Sequence, residues 1–123
     1  MSMFDRLRPR TAKQIAGDAA ERQALHYLQR QGLTLLTCNF RCKGGEIDLV
    51  MQERGTLVFV EVRKRADRRY GGAAASVTPR KQARLIIAAQ VFLQRYRTPP
   101  PCRFDVIAID GAEIDWLKNA IDA

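Results

Sequence analysis

Four side chains in this sequence have the types and spacing to handle a phosphate: Glu21, Asp48, Glu61 and Arg63. Three of them sit in two short pieces, GGEIDLV (44–50) and LVFVEVRKR (57–65). In the second piece, apolar strand material is broken by Glu61 and Arg63, and an unpaired charge in a sheet is costly. EIDLVMQ (46–52) alternates charged and apolar residues, which predicts Glu46, Asp48 and Val50 on one face. With Arg54 and Gly55 as the centre of a tight turn, Asp48 falls opposite Glu61 and Glu46 opposite Arg63. Two carboxylates directly across a strand pair repel, and a divalent cation held by oxygen ligands would offset that repulsion.

The chemistry that wants this set is phosphodiester hydrolysis. Mg²⁺ or Mn²⁺ on carboxylates binds the phosphate and makes a hydroxide from bound water, while a nearby cation neutralises charge developing at phosphorus. Asp48 and Glu61 would be the metal ligands, Glu21 a further ligand, direct or through water, and Arg63 the electrophilic partner. The competing reading is a structural ion cluster, with Arg63 satisfying Glu46 and Asp48 and another arginine satisfying Glu21. Four acids and an arginine converging on one corner favour a site, because perturbed charge clusters are enriched at functional positions.

The elements that must position these groups follow from pattern. A helix is predicted from about Thr11, its N-cap, to Gln31, with Gly32 as the stop. Ala20, Ala24, Leu25, Tyr27 and Leu28 build its apolar stripe, and Glu21 falls inside that stripe. Strands are predicted at 33–40, 46–52 and 56–63, followed by a glycine-rich loop at 66–76. Thr78-Pro79 starts a second helix that runs to about Arg97, before Pro99-Pro100-Pro101. RFDVIAID (103–110) is a last strand, and the acidic tail has room for one short element. Helix, three strands, helix, strand predicts an α/β domain with one mixed sheet and helices packed on it. Residues 1–10 read as a basic N-terminal arm and 11–123 as one domain.

Bulk composition bounds the partners. The net charge is +8, and it is uneven: residues 1–104 hold 20 basic and 8 acidic side chains, residues 105–123 hold 1 and 5. Arg41, Lys43, Lys64, Arg65, Arg68, Arg69, Arg80, Lys81 and Arg84 gather around the strand ends and the loop. Such a collar suits nucleic-acid phosphates, and a solubilising surface is the other account of it. No base-reading element stands out, so binding by DNA structure rather than by base sequence is expected. No apolar run has the length of a membrane span, and no secretory signal follows the basic N-terminus. Three cysteines that cannot all pair fit a reduced cytoplasm. A cytoplasmic protein with no membrane partner is expected.

GDAAERQALHYLQRQG (17–32), CNFRCKGGEID (38–48), LVFVEVRKR (57–65), YGGAAASVTPRKQ (70–82) and CRFDVIAI (102–109) occur in that order. Together, from about Gly17 to Asp110, they resemble the uncharacterised bacterial YraN-like family. That family is similar to the Holliday-junction resolvase branch of the restriction-endonuclease-like superfamily. The resemblance implies an αβββαβ core, a mixed central sheet flanked by helices, with a PD-(D/E)xK nuclease site. Its acidic position falls on Asp48, its (D/E)xK triplet on Glu61-Val62-Arg63, and the helical glutamate of resolvase-like members on Glu21. It further implies a metal-dependent endonuclease acting on branched or distorted DNA as a homodimer.

Two positions depart from that pattern. Ile47 stands where a proline precedes the acid, which touches no chemistry. Arg63 stands where a lysine belongs. Arginine keeps its proton, so it can stabilise a phosphorane but cannot act as a base. Lys64 should point to the opposite face. Lys81, in the first turn of the second helix, is a candidate substitute, a solvated helix residue being its other reading, and Gln82 is a similar candidate. Arg63 therefore leaves a second expectation open: a non-catalytic nucleic-acid-binding protein that retains the fold.

Overall fold

The computed structural model describes residues 12–64 and 77–122, with side chains from Asp18 onward. The basic arm at 1–10, the Thr11 cap and the loop at 66–76 lie outside the described residues, as do Arg65, Arg68, Arg69 and Tyr70. Helix α1 spans Ala12–Arg30 and is followed by Gly32 at φ +97°, the left-handed stop expected there. Strands β1 (Thr34–Cys42), β2 (Gly45–Glu53) and β3 (Thr56–Lys64) follow. Helix α2 spans Pro79–Leu93, and β4 (Cys102–Asp110) and β5 (Glu113–Leu117) complete the chain, so the acidic tail does supply a strand.

Helix α2 stops at Leu93, short of the expected Arg97. The following amides make tighter bonds, Arg95 N–H to the Phe92 carbonyl at 3.3 Å and Tyr96 N–H to Leu93 at 3.1 Å. The Arg95 guanidinium lies 3.7 Å over the Phe92 ring.

The five strands run in sequence order across one sheet. All neighbours are antiparallel except β3 and β4, which are parallel and joined through α2. Each face of the sheet carries one helix. Leu85, Ala88, Ala89 and Phe92 of α2 pack on Val50, Leu57, Phe59, Phe104 and Val106. Ala20, Ala24 and Leu28 of α1 pack on Leu49, Met51, Val58, Val60 and Ile107. Burial on both faces explains why the central strands read as nearly continuous apolar runs. Among the described residues no helix is long and apolar enough to cross a membrane.

The β2–β3 turn is as expected. Arg54 and Gly55 both have positive φ, 50° and 84°, the mirror-image turn that suits a two-residue hairpin. The register from Glu53–Thr56 to Leu49–Val60 follows from it. At this end of the sheet, Asp105 is fully buried and accepts from Arg103 Nε (3.1 Å), Trp116 Nε1 (2.9 Å) and the Asn119 amide (2.9 Å). Arg103 also reaches Glu53 at 2.9 Å, so one ion network clamps β2, β4 and β5, with Arg103 Nη2 buried and without a partner among the described residues.

Candidate functional site

The opposite end of β2 and β3 does not close. Their ladder ends at Leu49–Val60, although β3 continues in the sheet by pairing with β4 as far as Lys64–Ile109. At the same place the β1–β2 register passes from Cys38–Leu49 to Phe40–Ile47, skipping Asn39 and Asp48. Strict alternation would put Ile47 on the α1 face with Leu49 and Met51, yet Ile47 packs with the α2 cluster. Strand β2 therefore turns over at Asp48, whose side chain leaves both faces and lies in the hydrogen-bonding direction. Asp48 Oδ2 accepts from the Val62 amide at 2.8 Å, filling the bond that a continued ladder would have made.

Between the parted strands, α1 and the start of α2 lies a cleft of about 540 Å³, lined by Glu21, Asp48, Glu61, Arg63 and Lys81 among others. Glu61 is hydrogen-bonded to Asp48, and burial followed by the Asp48 charge pushes its carboxyl up from 4.5 to about 8, against the pull of Arg63 and Lys81. Burial likewise raises Asp48, with Glu46 adding to it, while the Val62 amide opposes the rise. Glu21 is raised by burial and by Asp48, and a hydrogen bond from the Asn39 side chain opposes that. Three acids that each resist losing a proton stand in one cleft.

A metal ion has to be tested against this donor set. Among the described residues no three His, Cys, Asp or Glu side chains stand close enough to hold one between them. Asp48 and Glu61, in hydrogen-bond contact, offer two carboxylates, which fits Mg²⁺, an ion that keeps several waters and takes one or two carboxylates plus substrate oxygens. Glu21 fits as a partner through water rather than as a third direct ligand.

The other wall of the cleft is cationic. Arg63 Nη1 lies 3.7 Å from Glu61 Oε1, and its buried Nε has no hydrogen-bond partner among the described residues. Lys64, Arg80, Lys81 and Arg84 line the same space. Thr78 caps α2, its hydroxyl accepting from the Lys81 amide at 3.2 Å, and no acid stands in the first turn, so the positive helix end faces the cleft. Gly45 brings α2 this close: a Cβ there would collide with the Arg84 carbonyl oxygen and meet the Ala88 nitrogen at 2.9 Å.

The structure thus brings Glu21, Glu46, Asp48, Glu61 and Arg63 to one cleft, the four acids and one arginine expected there, with Lys64, Arg80, Lys81 and Arg84 around them. Lys64 reaches the cleft wall although alternation sends it away from Arg63, because the cleft opens at the strand ends. The expected Glu46–Arg63 opposition does not form. The strands have parted before that point, and Glu46 instead faces Arg41 at 3.6 Å, both exposed. Lys43 is exposed in the turn before β2 and does not line the cleft. The residues missed from sequence are Asn39, Gly45 and the Thr78 cap in its role at the cleft. Adjacent glycines at 44 and 45 and an asparagine inside a strand were the available signals.

The model of uncharacterised protein family UPF0102 matches residues 20–109. A UPF0102 protein of Herminiimonas arsenicoxydans is 72% identical over 116 residues, covering 94% of each chain. One from Janthinobacterium sp. (strain Marseille) is 70% identical over 117 residues, covering 95% of each. One from Ralstonia pickettii (strain 12J) is 58% identical over 117 residues, covering 91% of this chain and 94% of its own.

Proposed function

The chain belongs to uncharacterised protein family UPF0102, the family its motifs resemble, and from that premise we propose that it is a metal-dependent DNA endonuclease acting on branched or distorted DNA. The observation that carries this is the contact of Asp48 with Glu61 in a cleft whose facing wall is Arg63, Lys81 and the start of α2. The order α1-β1-β2-β3-α2-β4 supports a restriction-endonuclease-like core, with β5 as an addition at the sheet edge. On that reading two copies of the chain act together on a two-fold junction.

A divalent cation on Asp48 and Glu61 would supply a hydroxide from bound water and a Lewis-acid contact to a phosphoryl oxygen. The remaining work falls to the chain. Arg63 presents an unsatisfied buried donor to the non-bridging oxygens and neutralises charge that grows in the transition state. Lys81, whose charge is felt at Glu61, is of the residue type that can give or take a proton, which Arg63 is not. Glu21 orients water from the α1 side. Lys64, Arg80 and Arg84 hold flanking phosphates.

Arg63 favours a second reading, a nucleic-acid-binding protein with this fold and no turnover. One experiment separates them: purified protein with Mn²⁺ or Mg²⁺ on four-way junction, flap, single-stranded and linear duplex DNA, beside the Asp48→Ala/Glu61→Ala double variant. Cleavage by the wild type alone supports the nuclease. Binding by both without cleavage supports the second reading. Neither binding nor cleavage sinks both.

A further inference from the structure

Three non-glycine residues among those described have positive φ: Asn39 (51°), Arg54 (50°) and Asn119 (50°). Arg54 forms a hairpin turn, and Asn119 lies in the turn after β5. Asn39 lies inside β1, where a left-handed residue breaks the strand and costs energy for any side chain with a Cβ. It stands across from Asp48, and these two form no pair although the register is the same on either side of them, the one register shift between these strands lying earlier, between Leu35 and Thr37.

Both strands turn over there together. Cys38 pairs with Leu49, which packs on the α1 face, whereas Phe40 pairs with Ile47 and packs on the α2 face. Neighbours two apart in a regular strand share a face, so the reversal happens at Asn39 on one strand and at Asp48 on the other. That reversal takes the Asp48 carboxylate out of the α2 core and aims it at the Val62 amide and Glu61. The Asn39 side chain, exposed above the break, lies near enough to Glu21 of α1 to oppose the rise of its carboxyl, the placement from which an amide donor would hold it.

We propose that Asn39 is the positioning residue of the cleft: its left-handed backbone turns Asp48 into the space between β2 and β3, and its amide N–H holds Glu21 on the same side. Asparagine suits both tasks. It tolerates the left-handed region better than other residues with a side chain, and its amide donates to a carboxylate. The consequence for activity rests on the nuclease reading above; the placement of Asp48 and Glu21 does not.

The two tasks separate by substitution in the full chain. Asn39→Gly keeps the backbone conformation and removes the donor. Asn39→Ala removes the donor and opposes the conformation. The first readout is the folding equilibrium in urea without divalent ions, for Asn39→Gly, Glu21→Ala (which leaves no acceptor) and the double variant. A hydrogen bond between the two side chains makes the double variant's folding constant exceed the product of the single effects by roughly fivefold. The second readout is Mn²⁺ binding and junction cleavage. Asn39→Gly should lose kcat with KM little changed, and Asn39→Ala should also weaken Mn²⁺ binding by roughly tenfold because Asp48 is displaced.

Additive single effects in urea, together with equal Mn²⁺ affinity in the Gly and Ala variants, would overturn the assignment. If the wild type neither takes up Mn²⁺ nor cleaves, the nuclease reading falls and the urea cycle alone decides the Asn39–Glu21 coupling. If the wild type cleaves, the cycle is additive and the Gly and Ala variants take up Mn²⁺ equally, the Asn39 assignment falls and the nuclease reading stands.

Discussion

Replacing Glu61 with Gln isolates the cost of pressing two carboxyls together without a cation. Gln keeps the volume of Glu and an amide N–H that can donate to Asp48, so the contact survives at every pH. In the native protein the Glu61 carboxyl is pushed from 4.5 to about 8 by burial and by Asp48. A carboxyl with a raised native pKa keeps its proton where the unfolded chain has lost it. The native state therefore binds more protons between about 4.5 and 8, and stability falls as pH rises through that window. At pH 7 the gap from the unfolded value is about two and a half units, and at about 1.4 kcal/mol per unit the ceiling is about 3.5 kcal/mol. The Glu61 side chain is 15% exposed, and water in the cleft lowers the expected gain to roughly 2 kcal/mol. Urea denaturation in EDTA should find Glu61→Gln more stable than wild type by that amount at pH 7 to 8 and equal to it near pH 4.5. A variant destabilised at pH 7, or a difference that does not change with pH, would refute the reasoning and make the Asp48–Glu61 contact an ordinary structural bond.

On the proposed reading, DNA binding should be salt-dependent: four phosphates neutralised by Arg63, Lys64, Lys81 and Arg84 would give a log–log slope of about −4, so affinity measured by fluorescence anisotropy should fall by roughly two orders of magnitude from 50 to 200 mM salt. Arg63→Lys keeps the charge but loses the guanidinium fork, and single-turnover assays should find slower cleavage with Mn²⁺ binding retained; faster cleavage would move Arg63 from charge stabilisation to the place of a missing proton-exchanging lysine. Gly45→Ala forces α2 away from β2 at Arg84 and Ala88, and should cost about 2–3 kcal/mol in thermal melts while weakening DNA binding in the folded fraction. Asp105→Ala strips the carboxylate from Arg103, Trp116 and the Asn119 amide, and should cost about 3–5 kcal/mol without altering Mn²⁺ affinity in the fraction that folds.

What the sequence made legible is local. The Arg54-Gly55 pair carries its own turn geometry, so the hairpin register and the juxtaposition of Asp48 with Glu61 could be read before any packing was known. Glu21 was legible because an acid inside an apolar stripe needs a partner, and Thr78-Pro79 because cap and first-turn proline are chemically specified. The missed features arise where two elements set each other's geometry. Gly45 reads as part of a turn, and only the α2 backbone lying against it shows that no Cβ fits. Asp105 reads as one acid in a strand, and its complete burial depends on β5 and on Trp116 reaching back across it. The missing Glu46–Arg63 pair has the same origin, although Glu46 still lines the cleft. Alternation assumes an unbroken strand, and the left-handed Asn39 breaks β1 exactly where β2 must release Asp48, so the rule carried Glu46 onto a face that the chain had already left. The same break that defeats the pattern parts β2 from β3, admits the carboxylate to the gap and opens the cleft. In this chain the failure of strand periodicity is therefore itself the sign of the site, as expected where function overrides local preference.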